Sequence, residues 1–140
     1  MPLGALNHIG LSVTDLDRSE RFYDPLMAFM GYSRMPATPG QRKWKKRGVG
    51  IFLIYQARPE SRTKVHDRYA PGLHHLCFDA ETREEVDRLH GVMVAAGARI
   101  LDAPAEYAYT PGYYAVFFAD PDGLKLELCH APAAYQGVPG

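Results

Sequence analysis

A shift of 67 residues lays the first half of this chain over the second. Leu6-Asn7-His8-Ile9 falls on Leu73-His74-His75-Leu76, Phe22 on Leu89 and Leu26 on Met93. Gly31 and Gly97 close two helical stretches at almost the same offset. A twofold repeat of this size makes each copy one supersecondary unit, and neither copy can hide an apolar sheet face alone. The fold must therefore be built from two similar modules that form one domain.

Local pattern supplies the contents of each module. From Leu6 to Val13, Ile9, Leu11 and Val13 alternate with His8, Gly10 and Ser12, which is a strand with one apolar side. Thr14-Asp15-Leu16-Asp17 offers a helix cap at Thr14 with an acidic residue three places on. Leu16, Phe22, Leu26, Phe29 and Met30 then form a helical stripe that Gly31 ends. Pro25 lies inside the stripe and is expected to kink or shorten the helix. Residues 31–36, 43–48 and 50–56 read as three further strands. The second module repeats the order, with a strand at 73–80 and a Thr82-to-Glu85 capping box. A helix follows, lined by Val86, Leu89, Val92, Met93 and Ala96, then strands at 98–102, 113–119 and 124–130. The expectation is one α+β domain over 1–140, with module one at about 5–57, a linker at 58–72 and module two at about 73–130.

Charge excludes some functions. Sixteen basic and sixteen acidic residues give zero net charge and a pI near 7.0, so nothing draws nucleic acid or an anionic membrane in a general way. No apolar run is long enough for a membrane span and no signal peptide is visible. Two cysteines are no secreted disulfide framework. A cytoplasmic location is expected. Nine Tyr and six Phe suit the lining of a small-molecule pocket.

The chemistry gathers on the less apolar strand faces. His8 lies opposite Ile9 and Leu11. His75 lies opposite Leu76 and Phe78, and Glu127 opposite Leu126 and Leu128. If these faces share one concave sheet, two imidazoles and a carboxylate converge, a set that suits a divalent Zn, Fe, Mn, Co or Ni ion with open positions left for substrate. The plainer reading is two satisfied polar strand residues and a surface glutamate. The repeat favours the first, since His8 and His75 are equivalent under it.

Three stretches carry a resemblance: Asn7-His8-Ile9-Gly10-Leu11-Ser12-Val13, His75-Leu76-Cys77-Phe78, and Asp120-Pro121-Asp122-Gly123-Leu124-Lys125-Leu126-Glu127-Leu128. Together they resemble the signatures of the vicinal oxygen chelate superfamily, which includes glyoxalase I, fosfomycin-resistance proteins, extradiol dioxygenases, methylmalonyl-CoA epimerase and bleomycin-binding proteins. The resemblance covers residues 5 to about 130. It implies paired βαβββ modules in an open, cup-shaped mixed β-barrel with helices outside. It also implies one divalent metal held by His8, His75 and Glu127, a small-molecule substrate and a homodimer. The activity implied is metal-assisted lyase or isomerase chemistry, in which chelated substrate oxygens carry an enolate-like anion. An extradiol-type dioxygenase and an antibiotic-modifying thiol transferase are the enzyme alternatives. A protein that sequesters a small molecule without chemistry is the alternative from another class.

Departures from the family pattern narrow the reaction. Glyoxalase I and the epimerases carry a fourth ligand on the last strand of the first half. Aligning Phe52-Leu53-Ile54-Tyr55 with Lys125-Leu126-Glu127-Leu128 puts Ile54 there, with Gln56 two residues on. The arginine that grips glutathione in glyoxalase I falls on Ser12. The threonine of fosfomycin proteins falls on Gly10, and the acid–base tyrosine of extradiol dioxygenases on Phe117. Tyr113 or Tyr114 is the candidate donor to a substrate oxygen, unless the tyrosine-rich stretch is a loop packed over the barrel mouth. Arg42-Lys43-Trp44-Lys45-Lys46-Arg47 reads either as an anion grip with Trp44 as a lid or as a solvated edge strand. Cys77 and Cys129 follow the proposed ligands by two residues, as soft ligands, nucleophiles or small packing residues. The expected pocket is therefore Trp44, Ile54, Gln56, Cys77, Phe117 and Cys129.

Overall fold

Asp15, in extended conformation, accepts a hydrogen bond from the Arg18 amide at 2.9 Å and starts the first helix. The cap is Asp15 and not Thr14, because it is the Asp15 carboxylate that reaches the third helical amide. The Thr14 carbonyl is used elsewhere, accepting from Gln56 Nε2 at 2.7 Å. The computed structural model describes residues 1–140, which divide into two compact units, Met1–Val65 and His66–Gly140.

The first unit runs β1 (His8–Val13), α1 (Leu16–Phe29), β2 (Ser33–Arg34), β3 (Gln41–Lys46) and β4 (Gly50–Gln56), followed by a single 3-10 turn at Pro59–Ser61. Its four-stranded sheet has the order β1-β4-β3-β2. β1 is parallel to β4 and the other pairs are antiparallel. Helix α1 packs Leu16, Phe22, Tyr23, Leu26 and Met27 into a buried face. Tyr23 meets Phe52 with ring centroids 5.0 Å apart. Pro25 does not shorten this helix. The chain stays helical to Phe29 because the turn that follows carries Leu26 and Met27, both fully buried, and their burial offsets one missing backbone bond. The third strand lies between β2 and β4 and is not an edge. Arg42, Trp44 and Lys46, which share one face of its basic run, are docked onto α1. Arg42 pairs with Glu20 and, at 3.2 Å, with Asp17. Lys46 Nζ donates to the Met30 carbonyl at 2.8 Å, a cation placed at the negative end of the helix.

The second unit repeats the plan with β5 (Leu76–Asp79), α2 (Arg83–Ala95), β6 (Arg99–Glu106), β7 (Tyr114–Ala119) and β8 (Lys125–His130). Its sheet order is β5-β8-β7-β6, again with the first and last strands parallel. The architecture is thus two βαβββ modules, each an open four-stranded mixed sheet. Both helices end alike. Gly31 (φ +79°) and Gly97 (φ +75°) take the left-handed conformation just past the helices. Tyr32 N then bonds Met27 O, and Ala98 N bonds Met93 O, at 2.9 Å each, a closure that favours glycine.

Thr82 and Glu85 form a reciprocal capping box at the start of α2. Thr82→Ala is expected to cost about 1 kcal/mol, read as a lower urea midpoint at unchanged slope. A midpoint equal to that of the parent protein would show that the cap contributes nothing here.

Candidate functional site

The turn Asp120-Pro121-Asp122-Gly123 sets the register on which the second unit's chemistry depends. Asp120 Oδ1 accepts from the amides of Asp122 (2.9 Å) and Leu124 (2.8 Å). Gly123, at φ +83°, lets the chain reverse, and Asp120 N donates to the Leu124 carbonyl at 2.9 Å. Strand β8 is thereby aligned so that Glu127 stands between Cys77 on β5 and Phe117 on β7. In this register Lys125, Glu127 and Cys129 share the face opposite to α2.

Glu127 is only 3% exposed. Its two carboxylate oxygens have different company. The Tyr113 hydroxyl donates a short hydrogen bond to Oε1, while His75 Nε2 lies 3.4 Å from Oε2. His75 Nδ1 is 2.8 Å from Nδ1 of His74. If His75 donates that proton, its Nε2 lone pair is left facing the carboxylate, the tautomer a metal-ligating imidazole needs. Burial, followed by the bond to Glu127, pushes the Tyr113 phenol well above its usual range, so the hydroxyl keeps its proton at neutral pH and acts as a donor.

An aromatic wall surrounds this group. Tyr107 stacks on Tyr109 at 5.4 Å and meets Phe117 edge-on at 5.3 Å, and Tyr109 meets Tyr113 at 5.1 Å. Lys125 Nζ sits 4.4 Å above the Phe117 ring, a cation–π contact. Cys77 Sγ and Cys129 Sγ are 3.3 Å apart. The hydrogen bond to Cys129, then burial and the Glu127 charge, push the Cys77 thiol up, whereas the bond received from Cys77 holds Cys129 down.

His75, Cys77, Tyr113, Phe117, Glu127 and Cys129 therefore come together on one face. Tyr114, Trp44, Ile54 and Gln56 have surroundings of their own. Tyr114 follows Tyr113 directly and must point the other way; its hydroxyl donates to Asp87 on α2 at 2.7 Å. Trp44 is no lid: it is 1% exposed, lies in the α1 core near Tyr23 and Phe52, and donates Nε1–H to Asp24 at 2.9 Å. Ile54, fully buried, shares the α1-facing side with Phe52. Gln56 ties β4 to the start of α1, accepting from Leu16 N at 3.1 Å.

Strand register also corrects the fourth-ligand position. Cys77 pairs with Glu127 on β8, and Gly10, the equivalent of Cys77 under the repeat, pairs with Leu53 on β4. Leu53 is thus the counterpart of Glu127, and Ile54 is one residue out of register. In the first unit His8 is exposed at the start of β1, with Nδ1 2.8 Å from Asn7 Oδ1. On the same face the Tyr55 ring crosses Gly10 so closely that a Cβ there would lie 2.9 Å from Cε2.

Tyr107 and Lys125 also belong to the Glu127 surroundings. For Lys125 the signal was available, since it lies two residues before Glu127 on the same strand. Tyr107 reaches the site only through the loop that returns to β7, where Tyr107 N bonds the Tyr113 carbonyl at 3.1 Å.

A buried carboxylate, an imidazole beside it and two repeated βαβββ units are features of one group of proteins. Residues 5–128 match the Glyoxalase/Bleomycin resistance protein/Dioxygenase superfamily, and the chain belongs to that family. It is 34% identical over 124 residues to the Bacillus subtilis (strain 168) protein YqjT, itself uncharacterized, covering 88% of this chain and 96% of that one. It is 25% identical over 127 residues to the metallothiol transferase FosB of Shouchella clausii (strain KSM-K16), covering 90% of this chain and 80% of FosB. Among solved structures, a candidate glyoxalase from Bacillus halodurans superposes with a TM-score of 0.81 at 31% identity, covering 92% of this chain and 97% of that one.

Proposed function

We propose that this protein is a metal-dependent enzyme acting on a small oxygen-bearing molecule, with lyase or isomerase chemistry as the leading reading. The observation that carries it is Glu127, a buried carboxylate with His75 Nε2 beside one oxygen and the Tyr113 hydroxyl on the other. A buried charge of this kind needs compensation, and the oxygen and nitrogen donors suit a borderline divalent ion. His75 and Glu127, with His8 as the third ligand implied by the family resemblance, would hold Zn, Fe, Mn, Co or Ni. When bound, the ion supplies Lewis-acid polarisation of substrate oxygen.

The chain's own residues do the rest. Tyr113 holds its proton on the phenol oxygen and fixes Glu127 through Oε1, which leaves Oε2 on the His75 side. Phe117, paired with Glu127 across β7 and β8, and Tyr107 packed against it shield the carboxylate from water. The working form in this reading is a homodimer in the cytoplasm; no helix is long and apolar enough to cross a membrane.

A second reading, thiol transfer, has one observation in its favour. Leu53, at the register position equivalent to Glu127, offers no carboxylate to serve as a base. A solvent-deuterium experiment separates the two. A lyase or isomerase that shuttles a proton incorporates deuterium at a substrate carbon, whereas a transferase adds the mass of its thiol co-substrate.

Protein purified without a tag or chelator is expected to carry about one such ion per chain, and His8→Ala to lose it, by elemental analysis. A His8→Ala variant that kept its metal at parental affinity would remove His8 from the ligand set.

A further inference from the structure

Cys77 and Cys129 have no role in the function proposed above, yet they are placed with some precision. They stand on adjacent parallel strands, Cys77 opposite Glu127 and Cys129 opposite Asp79. Their sulfurs are 3.3 Å apart. One ligand atom from each of Cys77, Glu127 and Cys129 fits within a span of 4.8 Å.

Two explanations for such a pair can be weighed on geometry. The residues are diagonal neighbours, one strand apart and two residues along. Strand spacing and rise put their Cα atoms about 8 Å apart, beyond the roughly 7 Å limit for a disulfide. Bridging by a metal asks less of the backbone. With M–S bonds of about 2.3 Å at a tetrahedral angle, the sulfurs lie about 3.8 Å apart, so they need to part by only about half an ångström. Cys77 is exposed and Cys129 is buried, so an ion can approach from the Cys77 side and be held against the sheet.

We propose that Cys77, Cys129 and Glu127 form a two-sulfur, one-oxygen site for a soft, thiophilic divalent cation such as Cd²⁺. Each thiol releases its proton to solvent as its bond to the metal forms. Thiolate donors select soft ions, which distinguishes this set from the His8, His75 and Glu127 set proposed above. Because Glu127 is common to both sets, occupancy of one excludes the other. A soft ion on the sulfurs would therefore block the proposed active site.

The test is titration of freshly reduced protein, first stripped of bound metal with a chelator and desalted, with Cd²⁺, reading the sulfur-to-metal charge-transfer absorption in the near ultraviolet. The expected result is a band that saturates at about one ion per chain. Cys77→Ser and Cys129→Ser are each expected to weaken binding by at least about tenfold and to lower the band. Cys77 is exposed, so its serine variant is expected to fold even if the buried Cys129→Ser variant does not; circular dichroism checks both. His8→Ala is expected to leave the band intact, which separates this site from the one in the proposed function. Absence of a band in the parent protein would overturn the assignment, as would a band unchanged in folded Cys77→Ser or one lost in His8→Ala.

Discussion

Glu127→Gln is expected to lower the affinity for a first-row divalent metal by at least about 100-fold, beyond the 10–100-fold typical of losing an outer partner. Glutamine keeps the shape of the side chain and an oxygen to accept from Tyr113, so the hydrogen bond to the loop survives. What disappears is the charge. The metal-free variant is expected to unfold within about 1 kcal/mol of the parent, because removing a buried carboxylate also removes its desolvation cost. The difference appears when metal is added. At 100 times the dissociation constant, one bound ion stabilises the folded state by about 2.7 kcal/mol, and Glu127→Gln is expected to lose that increment. Equilibrium dialysis with elemental analysis measures the first effect, and urea titration with and without metal measures the second. Stoichiometric binding at parental affinity in the glutamine variant would eliminate Glu127 as a ligand.

Trp44→Ala is expected to have the largest effect on stability, about 3–5 kcal/mol. The indole is 1% exposed and packs with its centroid 6.2 Å from Phe52 and 6.3 Å from Tyr23. Its N–H is bonded to Asp24, so truncation opens a cavity and removes a cross-link between β3 and α1. Trp44→Phe is expected to recover most of the loss, because it refills the cavity and forfeits mainly the hydrogen bond. Urea denaturation followed by far-ultraviolet circular dichroism reports both. A residue acting as a lid over substrate would behave oppositely, with little change in stability and a large change in substrate binding.

The behaviour of Trp44 illustrates where local pattern stops being informative. A basic run with one tryptophan fits both a guarded edge strand and an anion grip. What decides is that β3 pairs with strands on both sides and that α1 presents Asp17, Glu20 and Asp24 to it. Those acidic partners on α1 all lie 20 or more residues before Trp44 in the chain. The same holds for Gln56, whose amide reaches back 40 and 42 residues to Leu16 and Thr14. By contrast, the capping box at Thr82, the closures at Gly31 and Gly97 and the apolar stripes of both helices were legible because each involves residues within one or two turns of one another.

The candidate site divides along the same line. That His75, Cys77, Glu127 and Cys129 share the less apolar faces of their strands follows from an alternation of period two, which is a property of each strand alone. That Tyr113 and not Tyr114 reaches Glu127, that the two sulfurs meet, and that Leu53 rather than Ile54 is the counterpart of Glu127 all depend on register between strands. Register is set by turns and by which faces find a helix to cover them, and a slip of one residue reverses every side chain. From its sequence alone this chain is a repeated βαβββ protein with a histidine at the same point in each half and a glutamate on its last strand. Only the folded sheets decide which of its tyrosines, cysteines and aliphatic residues stand beside that glutamate, because neighbours across strands are chosen by backbone pairing over distances that local periodicity does not record.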